Sequence, residues 1–187
     1  MLSESETLQG GAEWDSSLDE VIRSAQRGEE SAFEEILDRF EAKALLTARS
    51  MGASRQDAED IAQDAFLKIF RYIRSYRSGR SFRAYFHRIV INACRDHMAR
   101  MGTKERSLEE EEIEGREAHP GLDADAVDRV RAALRLLPMR EREVAILRDM
   151  HGLSTWQVSM ILRISPITVR RHSSRALARL REILGRG

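Results

Sequence analysis

The chain has 187 residues, 42% of them hydrophobic and 33% charged, enough for one ordinary domain or two small ones. Its three prolines and eleven glycines are too few for the frequent turns of a β-rich fold. No apolar run reaches the roughly 18 residues of a membrane span, and the polar N-terminus is unlike a secretory signal, so we expect a cytoplasmic protein without membrane insertion. The single cysteine, Cys94, excludes an internal disulfide, and no Cys/His spacing suggests a metal site.

The formal net charge of zero hides an uneven distribution of charge. Residues 68–101 hold nine basic side chains and one acid, and residues 163–187 hold seven arginines and one acid. Residues 102–128, which lie between them, hold ten acids against three basic residues. Two basic segments separated by an acidic one indicate two separate contacts with a polyanion such as nucleic acid.

Apolar residues at helical spacing predict an all-α chain made of two small domains. Residues 1–17 lack this spacing and are expected to form a disordered leader, whereas residues 18–101 follow a helical pattern. Residues 102–122 carry acid runs, glycine and proline, which predict a flexible, self-repelling linker. The helical pattern resumes over residues 123–187. Because each half has its own apolar stripes, we expect the linker to leave the two domains unarranged in the free chain.

The C-terminal domain has the pattern of a helix-turn-helix in "GLSTWQVSMILRISPITVRRHSSRAL". Ser154 is expected to cap the first helix with Gln157 as its capping-box partner, and Ser165 to cap the second, with Pro166 in the first turn. The stripe expected to be buried on the second helix consists of Val169, Ser173, Ala176, Leu177, Leu180 and Leu184. Arginines remain on the other side, and their guanidinium groups bind guanine edges and phosphates. The residues expected to contact DNA are Ser165, Ile167, Thr168, Arg170, Arg171, Ser174 and Arg175.

This C-terminal stretch by itself resembles two families. "SPITVRRH" is similar to the effector domain of response-regulator-type activators, and "LPMREREVAILRDMHGLS" before a helix-turn-helix is similar to the promoter-binding domain of sigma-70-type sigma factors. The upstream stretches "SAQRGEESAFEEILDRF", "DAEDIAQDAFLKIFRYI" and "SFRAYFHRIVINACRDHMAR" decide between them. In that order they resemble the promoter-melting domain of the extracytoplasmic-function (ECF) sigma factors. The resemblance covers the chain from about residue 18 to 101 and from about residue 123 to 184.

The resemblance implies a sigma factor, which binds core RNA polymerase, directs it to specific promoters and opens the minus-ten element to initiate transcription. Residues 18–101 would then be the promoter-melting and polymerase-binding domain, and residues 123–187 the domain that recognises the minus-thirty-five element. The implied partners are the β and β′ subunits of the polymerase, promoter DNA and an anti-sigma factor. No cofactor and no enzymatic activity are implied. In the free chain we expect weak promoter binding.

The helix expected over residues 55–76 has a polar stripe interrupted by an exposed leucine. Its inward side is expected to consist of Ala58, Ile61, Ala65, Phe66, Ile69, Tyr72 and Ile73. On periodicity alone the outer stripe is more simply a solvated face with one stray apolar residue. By resemblance it docks on the coiled-coil clamp helices of β′. The residues assigned to this docking are Asp60, Gln63, Asp64, Leu67 and Arg71.

The helix expected to begin near Ser81 interleaves aromatic and basic residues, as suits single-stranded DNA. Phe82, Phe86 and Ile89 are expected in the core, whereas Tyr85 is the candidate for promoter melting. By resemblance, the loop before this helix captures a flipped promoter base. The residues assigned to the minus-ten element are Arg74, Arg77, Ser78, Arg80, Arg83, Tyr85, Arg88, Asn92 and Arg95.

At two positions the chain departs from the family's pattern. Ile91 stands where an arginine usually precedes the asparagine of the minus-ten helix, which affects any prediction of base preference. Arg163 replaces the glycine usual between the two helices of the reader, which suggests an altered turn or an added phosphate contact.

Three other classes of protein remain as alternatives. A stand-alone helix-turn-helix activator would need a dimerisation or ligand-sensing segment, and no coiled-coil heptad or such domain is evident. An adaptor or anti-sigma protein would bind polymerase only, which the two basic surfaces oppose. An enzyme is opposed by the lack of any nucleophile, metal or phosphate-loop pattern. The five histidines are scattered, and Cys94 is expected to be a buried thiol.

Overall fold

The computed structural model describes residues 17–77, 81–103 and 124–185, and within these ranges every regular element is helical. The N-terminal domain consists of α1 over residues 17–27, α2 (Glu30–Met51), α3 (Arg55–Tyr72) with a 3₁₀ turn (Ile73–Ser75), and α4 (Phe82–Thr103). The C-terminal domain consists of α5 (Ala124–Arg135), α6 (Met139–Ala145) with a π-helical turn (Ile146–Met150), α7 (Thr155–Leu162) and α8 (Pro166–Leu184). The prediction of two all-α domains is confirmed. The leader, except residue 17, and linker residues 104–122 lie outside the described residues.

Short polar residues and glycine set the helix ends in the N-terminal domain. Helix α2 ends at Gly52, whose φ of 109° lies in the left-handed region and whose N–H bonds the carbonyls of Ala48 and Arg49. Helix α3 begins after Ser54, whose hydroxyl accepts the N–H of Asp57 at 3.1 Å. Helix α3 begins at Arg55, as predicted.

Aromatic rings form the centre of the N-terminal core. The ring of Phe40 from α2 lies 5.4 Å from Phe82 and 4.7 Å from Phe86, both on α4. Phe66 from α3 lies 6.1 Å from Phe86, so that three helices meet around one ring. Phe82 and Phe86 are buried and Ile89 packs partly buried against the core, as predicted.

Three apolar residues predicted to be buried are exposed. Tyr72 is 55% exposed because α3 ends there, and the following 3₁₀ turn buries Ile73 instead. Leu177 and Leu184 on α8 are 46% and 42% exposed. The buried residues of α8 are Val169, Ser173 and Ala176, all in its first three turns, and beyond them Leu180 and Ile183 are only partly buried.

The two domains pack directly against each other. Helix α2 contacts α5 and helix α4 contacts α7, and the buried apolar residues of both domains form one continuous cluster. Each domain had apolar stripes enough for its own core, but some of that apolar surface is buried between the domains. The expectation that the linker leaves the domains unarranged is therefore wrong.

Candidate polymerase and nucleic-acid interfaces

Helix α3 presents a continuous exposed stripe at the predicted polymerase-docking positions. Residues 60, 63, 64, 67 and 71 recur every three or four positions, which puts them on one face of a helix, and all five are exposed. Leu67 is 59% exposed. Asp64 lies near Arg100 of α4, with Oδ2 and Nη2 3.8 Å apart. The geometry brings these residues together as predicted; their docking on polymerase remains a prediction.

Helix α4 aligns Tyr85, Arg88, Asn92 and Arg95 along one face, at steps of three and four residues. Arg88 and Asn92 are exposed, whereas Tyr85 and Arg95 are partly buried. The ring of Tyr85 packs 5.2 Å from that of Tyr76, and burial raises the pKa of its phenol, so that the hydroxyl keeps its proton. A half-covered aromatic ring beside exposed polar side chains is suited to stacking an unpaired base.

The loop before α4 is anchored at its start by Gln26 of α1. Its amide Nε2 donates to the carbonyls of Ile73 at 2.9 Å and Tyr76 at 2.7 Å. Arg74 and Arg77 next to these anchored carbonyls are exposed. The candidates Ser78 and Arg80 lie outside the described residues. Gln26 could not be found from the sequence, because a single polar side chain on a helix is usually exposed to solvent.

Ile91 is 1% exposed and lies in the core. At this position the chain therefore has apolar packing in place of the arginine usual in the family.

Helix α8 has the geometry predicted for a DNA-reading helix. Ser165 caps it through a hydroxyl that accepts the N–H of Thr168 at 3.1 Å, and Pro166 occupies the first turn. Ile167 is 72% exposed. Thr168 is partly buried, whereas the other candidates are exposed: Ser165, Ile167, Arg170, Arg171, Ser174 and Arg175. A capped helix with arginines on its open side fits the major groove.

Arg163 forms the turn between α7 and α8 in the left-handed conformation, with φ 55° and ψ 47°. Among the described residues no other non-glycine has a positive φ. Arg163 thus adopts the left-handed conformation that glycine takes most readily, and the altered turn stays a prediction. The arginine is exposed, which leaves the phosphate-contact hypothesis open.

Two arginines of α4 that are assigned to the minus-ten element are hydrogen-bonded to the C-terminal domain. The guanidinium group of Arg95 donates to Glu143 Oε1 at 2.6 Å and Oε2 at 2.7 Å. Arg83 Nη2 donates to the backbone carbonyl of His151 at 2.8 Å. In this arrangement both arginines bind protein groups in place of phosphates. The sequence does not indicate this pairing, since Glu143 lies among charged residues and would be expected at the surface.

Two further hydrogen bonds join the domains. Arg142 Nη1 donates to the carbonyl of Met51 at 2.6 Å, where α2 ends. Gln157 Nε2 donates to Ser81 Oγ at 3.2 Å, and Ser81 also caps α4. Gln157 at the same time completes the predicted capping box with Ser154. These bonds attach the C-terminal domain to the end of α2 and to the start of α4.

A pair of histidines is buried where the domains meet. The rings of His87 on α4 and His151 after the π-helical turn lie 4.2 Å apart, and the two residues are 0% and 8% exposed. His151 Nε2 lies 2.8 Å from Thr47 Oγ1. In the sequence the histidines are merely scattered, and this pair is not evident because 64 positions separate its members.

The part of the chain that the structure describes holds no group of three or more His, Cys, Asp or Glu residues placed to hold a metal ion. None of the helices described is both long and apolar enough to cross a membrane. Cys94 is buried, as predicted, and burial raises the pKa of its thiol to about 12.

Comparison with known proteins agrees with this geometry. Residues 37–103 match the family model of sigma-70 region 2, and residues 128–180 match that of sigma-70 region 4. The chain is 30% identical over 192 residues to the ECF RNA polymerase sigma factor SigD of Mycobacterium tuberculosis, covering 97% of this chain and 88% of SigD. It is 29% identical over 170 residues to SigM of the same organism, covering 89% of this chain and 84% of SigM.

Two solved structures share the fold. CnrH, determined in complex with the cytosolic domain of CnrY, has a TM-score of 0.69 at 25% identity, covering 89% of this chain and 96% of CnrH. RpoE of Bartonella quintana, determined with the anti-sigma factor NepR, has a TM-score of 0.70 at 26% identity, covering 82% of this chain and 96% of RpoE. The chain belongs to the sigma-70 family, in its ECF group. A stand-alone activator is not favoured, because the match includes the N-terminal domain. Sigma factors are transcription regulators and not enzymes as a class.

Proposed function

We propose that this chain binds core RNA polymerase and divides promoter recognition between its two domains, as a bacterial cytoplasmic protein. The α3 stripe docks on β′, and the exposed side of α4 with the preceding loop binds the minus-ten element as it opens. Helix α8 enters the major groove of the minus-thirty-five element, and its domain packs on the β flap. One observation carries the proposal: a capped, arginine-bearing helix and a separate aromatic-basic helix face lie on two domains of one chain.

The division has a physical reason. Each contact is small, and phosphate contacts weaken as salt rises. When polymerase holds both domains, binding of one domain raises the effective concentration of the other at its own element. We therefore expect strong promoter binding only in the holoenzyme.

An anti-sigma factor is proposed as a further partner. The proposal is supported by CnrH and RpoE, whose structures share this fold and contain the cytosolic domain of CnrY and the anti-sigma factor NepR.

The test adds the purified chain to sigma-free core polymerase with a promoter library. A sigma factor starts specific transcripts, whereas an activator or adaptor starts none. Replacing Arg170 and Arg171 together by alanine should lower promoter affinity at least about tenfold and reduce the salt slope by about two, since each arginine neutralises one phosphate. Arg181→Ala is the matched control, because Arg181 is exposed on the last turn of the same helix. Equal losses in both variants would contradict the assignment.

A further inference from the structure

We propose that His87 and His151 form a proton-sensitive latch, which keeps the two domains together at neutral pH and releases them on acidification. The latch is a property of the free chain. Only its consequence, that the released arginines bind DNA, rests on the proposed function.

His151 is hydrogen-bonded to Thr47 of α2. The hydroxyl of Thr47 donates its one hydrogen to the carbonyl of Lys43, with Oγ1 and O 2.6 Å apart. It can then only accept from His151, so Nε2 of that ring carries the proton at 2.8 Å. The Thr47 bond is therefore already made with the neutral ring, and protonation of His151 forms no new bond to Thr47.

His87 packs against the ring of His151. Its Nδ1 and Nε2 are buried and have no hydrogen-bond partner among the described residues. A charged imidazole donates from both nitrogens, and no described protein group accepts from either one, so burial disfavours the charged form. The neutral ring is tolerated because it packs like an aromatic side chain, 5.0 Å from Phe86 and 4.2 Å from His151.

Two positive side chains lie near the histidine pair. Lys43 faces it from α2 and Arg83 faces it from α4, and both are positive. Burial and then these cations lower the pKa of His151 to about 4. Burial, followed by His151 and the same cations, holds the pKa of His87 well below its usual range. Protonation of either ring is therefore opposed both by desolvation and by the nearby positive charges.

Acidification favours the open form over the closed form. A histidine in the open form has an ordinary pKa of about 6.5, so the open form takes up protons that the closed form rejects. Closure is fully favoured above about pH 6.5 and weakens as the pH falls toward the lowered value of the closed form. With His151 alone, the ratio of open to closed molecules should rise roughly thirtyfold between about pH 7.5 and about pH 5.

The closed form of the latch covers two arginines of α4. The carbonyl that binds Arg83 belongs to His151 itself, and Glu143, which binds Arg95, lies on the same helix that leads into the π turn. Movement of His151 away from α4 therefore breaks the Arg83 bond directly. Opening exposes the side of α4 that carries both arginines.

Domain separation in the free chain tests the latch without polymerase or DNA. Fluorescent dyes are placed through Glu59→Cys on α3 and Arg181→Cys on α8, both exposed positions. The native Cys94 does not compete for dye, because it is buried and burial raises the pKa of its thiol. Energy transfer should fall as the pH is lowered from about 7.5 to about 5, while helical circular dichroism stays constant.

The decisive variant carries His87→Phe and His151→Phe, which keep aromatic packing and remove the titrating groups. It leaves the Arg95–Glu143 pair intact, and it should keep high energy transfer throughout the range. His97→Gln is the control: His97 pairs with Asp57 within the N-terminal domain, at 3.1 Å, and its loss should leave the pH response unchanged. An unchanged transfer in the parent chain, or the same fall in the double variant, overturns the latch. If the latch opens but single-stranded minus-ten DNA gains no affinity, the latch stands and the DNA role of Arg83 and Arg95 fails.

Discussion

Arg95 and Glu143 form a two-pronged ion pair that joins the domains, with Nε–Oε1 at 2.6 Å and Nη2–Oε2 at 2.7 Å. The Glu143 side chain is fully buried, whereas that of Arg95 is 28% exposed. Arg140 also donates to Glu143, at 3.2 Å. One buried carboxylate therefore binds a helix of its own domain and a helix of the other domain.

Replacing Glu143 by glutamine should lower the free energy of unfolding by about 2 kcal/mol. Breaking a buried ion pair typically costs about 3–5 kcal/mol, and the loss is smaller here because Arg95 can turn toward water. Urea denaturation measures the change. Glu59→Gln is the matched control, since Glu59 pairs with Arg55 at the surface at 3.4 Å, and its loss should cost at most about 0.5 kcal/mol. If the two variants were equally stable, the interdomain pair would contribute nothing.

Local features of the chain were predictable because their causes are local. A serine three residues before its N–H donor forms a cap whatever surrounds it, as at Ser54, Ser154 and Ser165. The exposed stripes on α3 and α8 likewise follow from helical spacing.

The domain interface was not predictable, because its partners are distant in sequence and it depends on residue types that are usually exposed. His87 and His151 lie 64 positions apart, and Glu143 stands in "MREREVA", where helical spacing alone suggests solvent. The burial predicted for Tyr72 and Leu184 was wrong for a related reason. Periodicity shows which face of a helix is apolar, but not how far along the helix its packing neighbours extend.

Replacing Arg163 by glycine should raise the free energy of unfolding by about 0.5 kcal/mol. The left-handed conformation costs an L-residue about 1–2 kcal/mol, and the larger conformational entropy of unfolded glycine offsets part of the gain. Arg163→Ala removes the same charge but keeps the strained backbone, so it should not stabilise the chain.

The same pair of variants tests the phosphate contact. If Arg163 binds a phosphate, both variants should lower the salt slope of promoter binding by the holoenzyme by about one. An unchanged slope in both would exclude the contact while leaving the stability prediction untouched.

Ser165 combines a cap with a predicted DNA contact, and two substitutions separate them. Ser165→Ala removes the cap and should cost about 1 kcal/mol in the free energy of unfolding. Ser165→Asp keeps a capping oxygen and should preserve stability, but its charge should weaken promoter binding by repelling phosphate. Thermal denaturation and promoter titration measure the two effects. A stable aspartate variant with full promoter affinity would show that Ser165 does not approach the DNA.

Cys94 should be inert to thiol reagents in the folded chain. Its side chain is fully buried, and burial raises the pKa of the thiol to about 12, so that almost no reactive thiolate exists near neutral pH. Modification by a chromogenic disulfide should proceed only as fast as the chain unfolds and should become fast in urea. Rapid modification without denaturant would mean that α4 separates from the core far more readily than the packing indicates.

Leu67 should contribute to polymerase binding but not to stability. It is 59% exposed in the middle of the α3 stripe, so Leu67→Ala should change the free energy of unfolding by less than about 0.5 kcal/mol. If the side chain is buried against β′, its loss should weaken core polymerase binding roughly tenfold, which corresponds to about 1.4 kcal/mol of apolar contact. Titration of labelled chain with core polymerase measures this. Met101→Ala is the control, since Met101 is 52% exposed on α4 and lies outside the stripe. Equal affinity for the two variants would remove Leu67 from the docking surface.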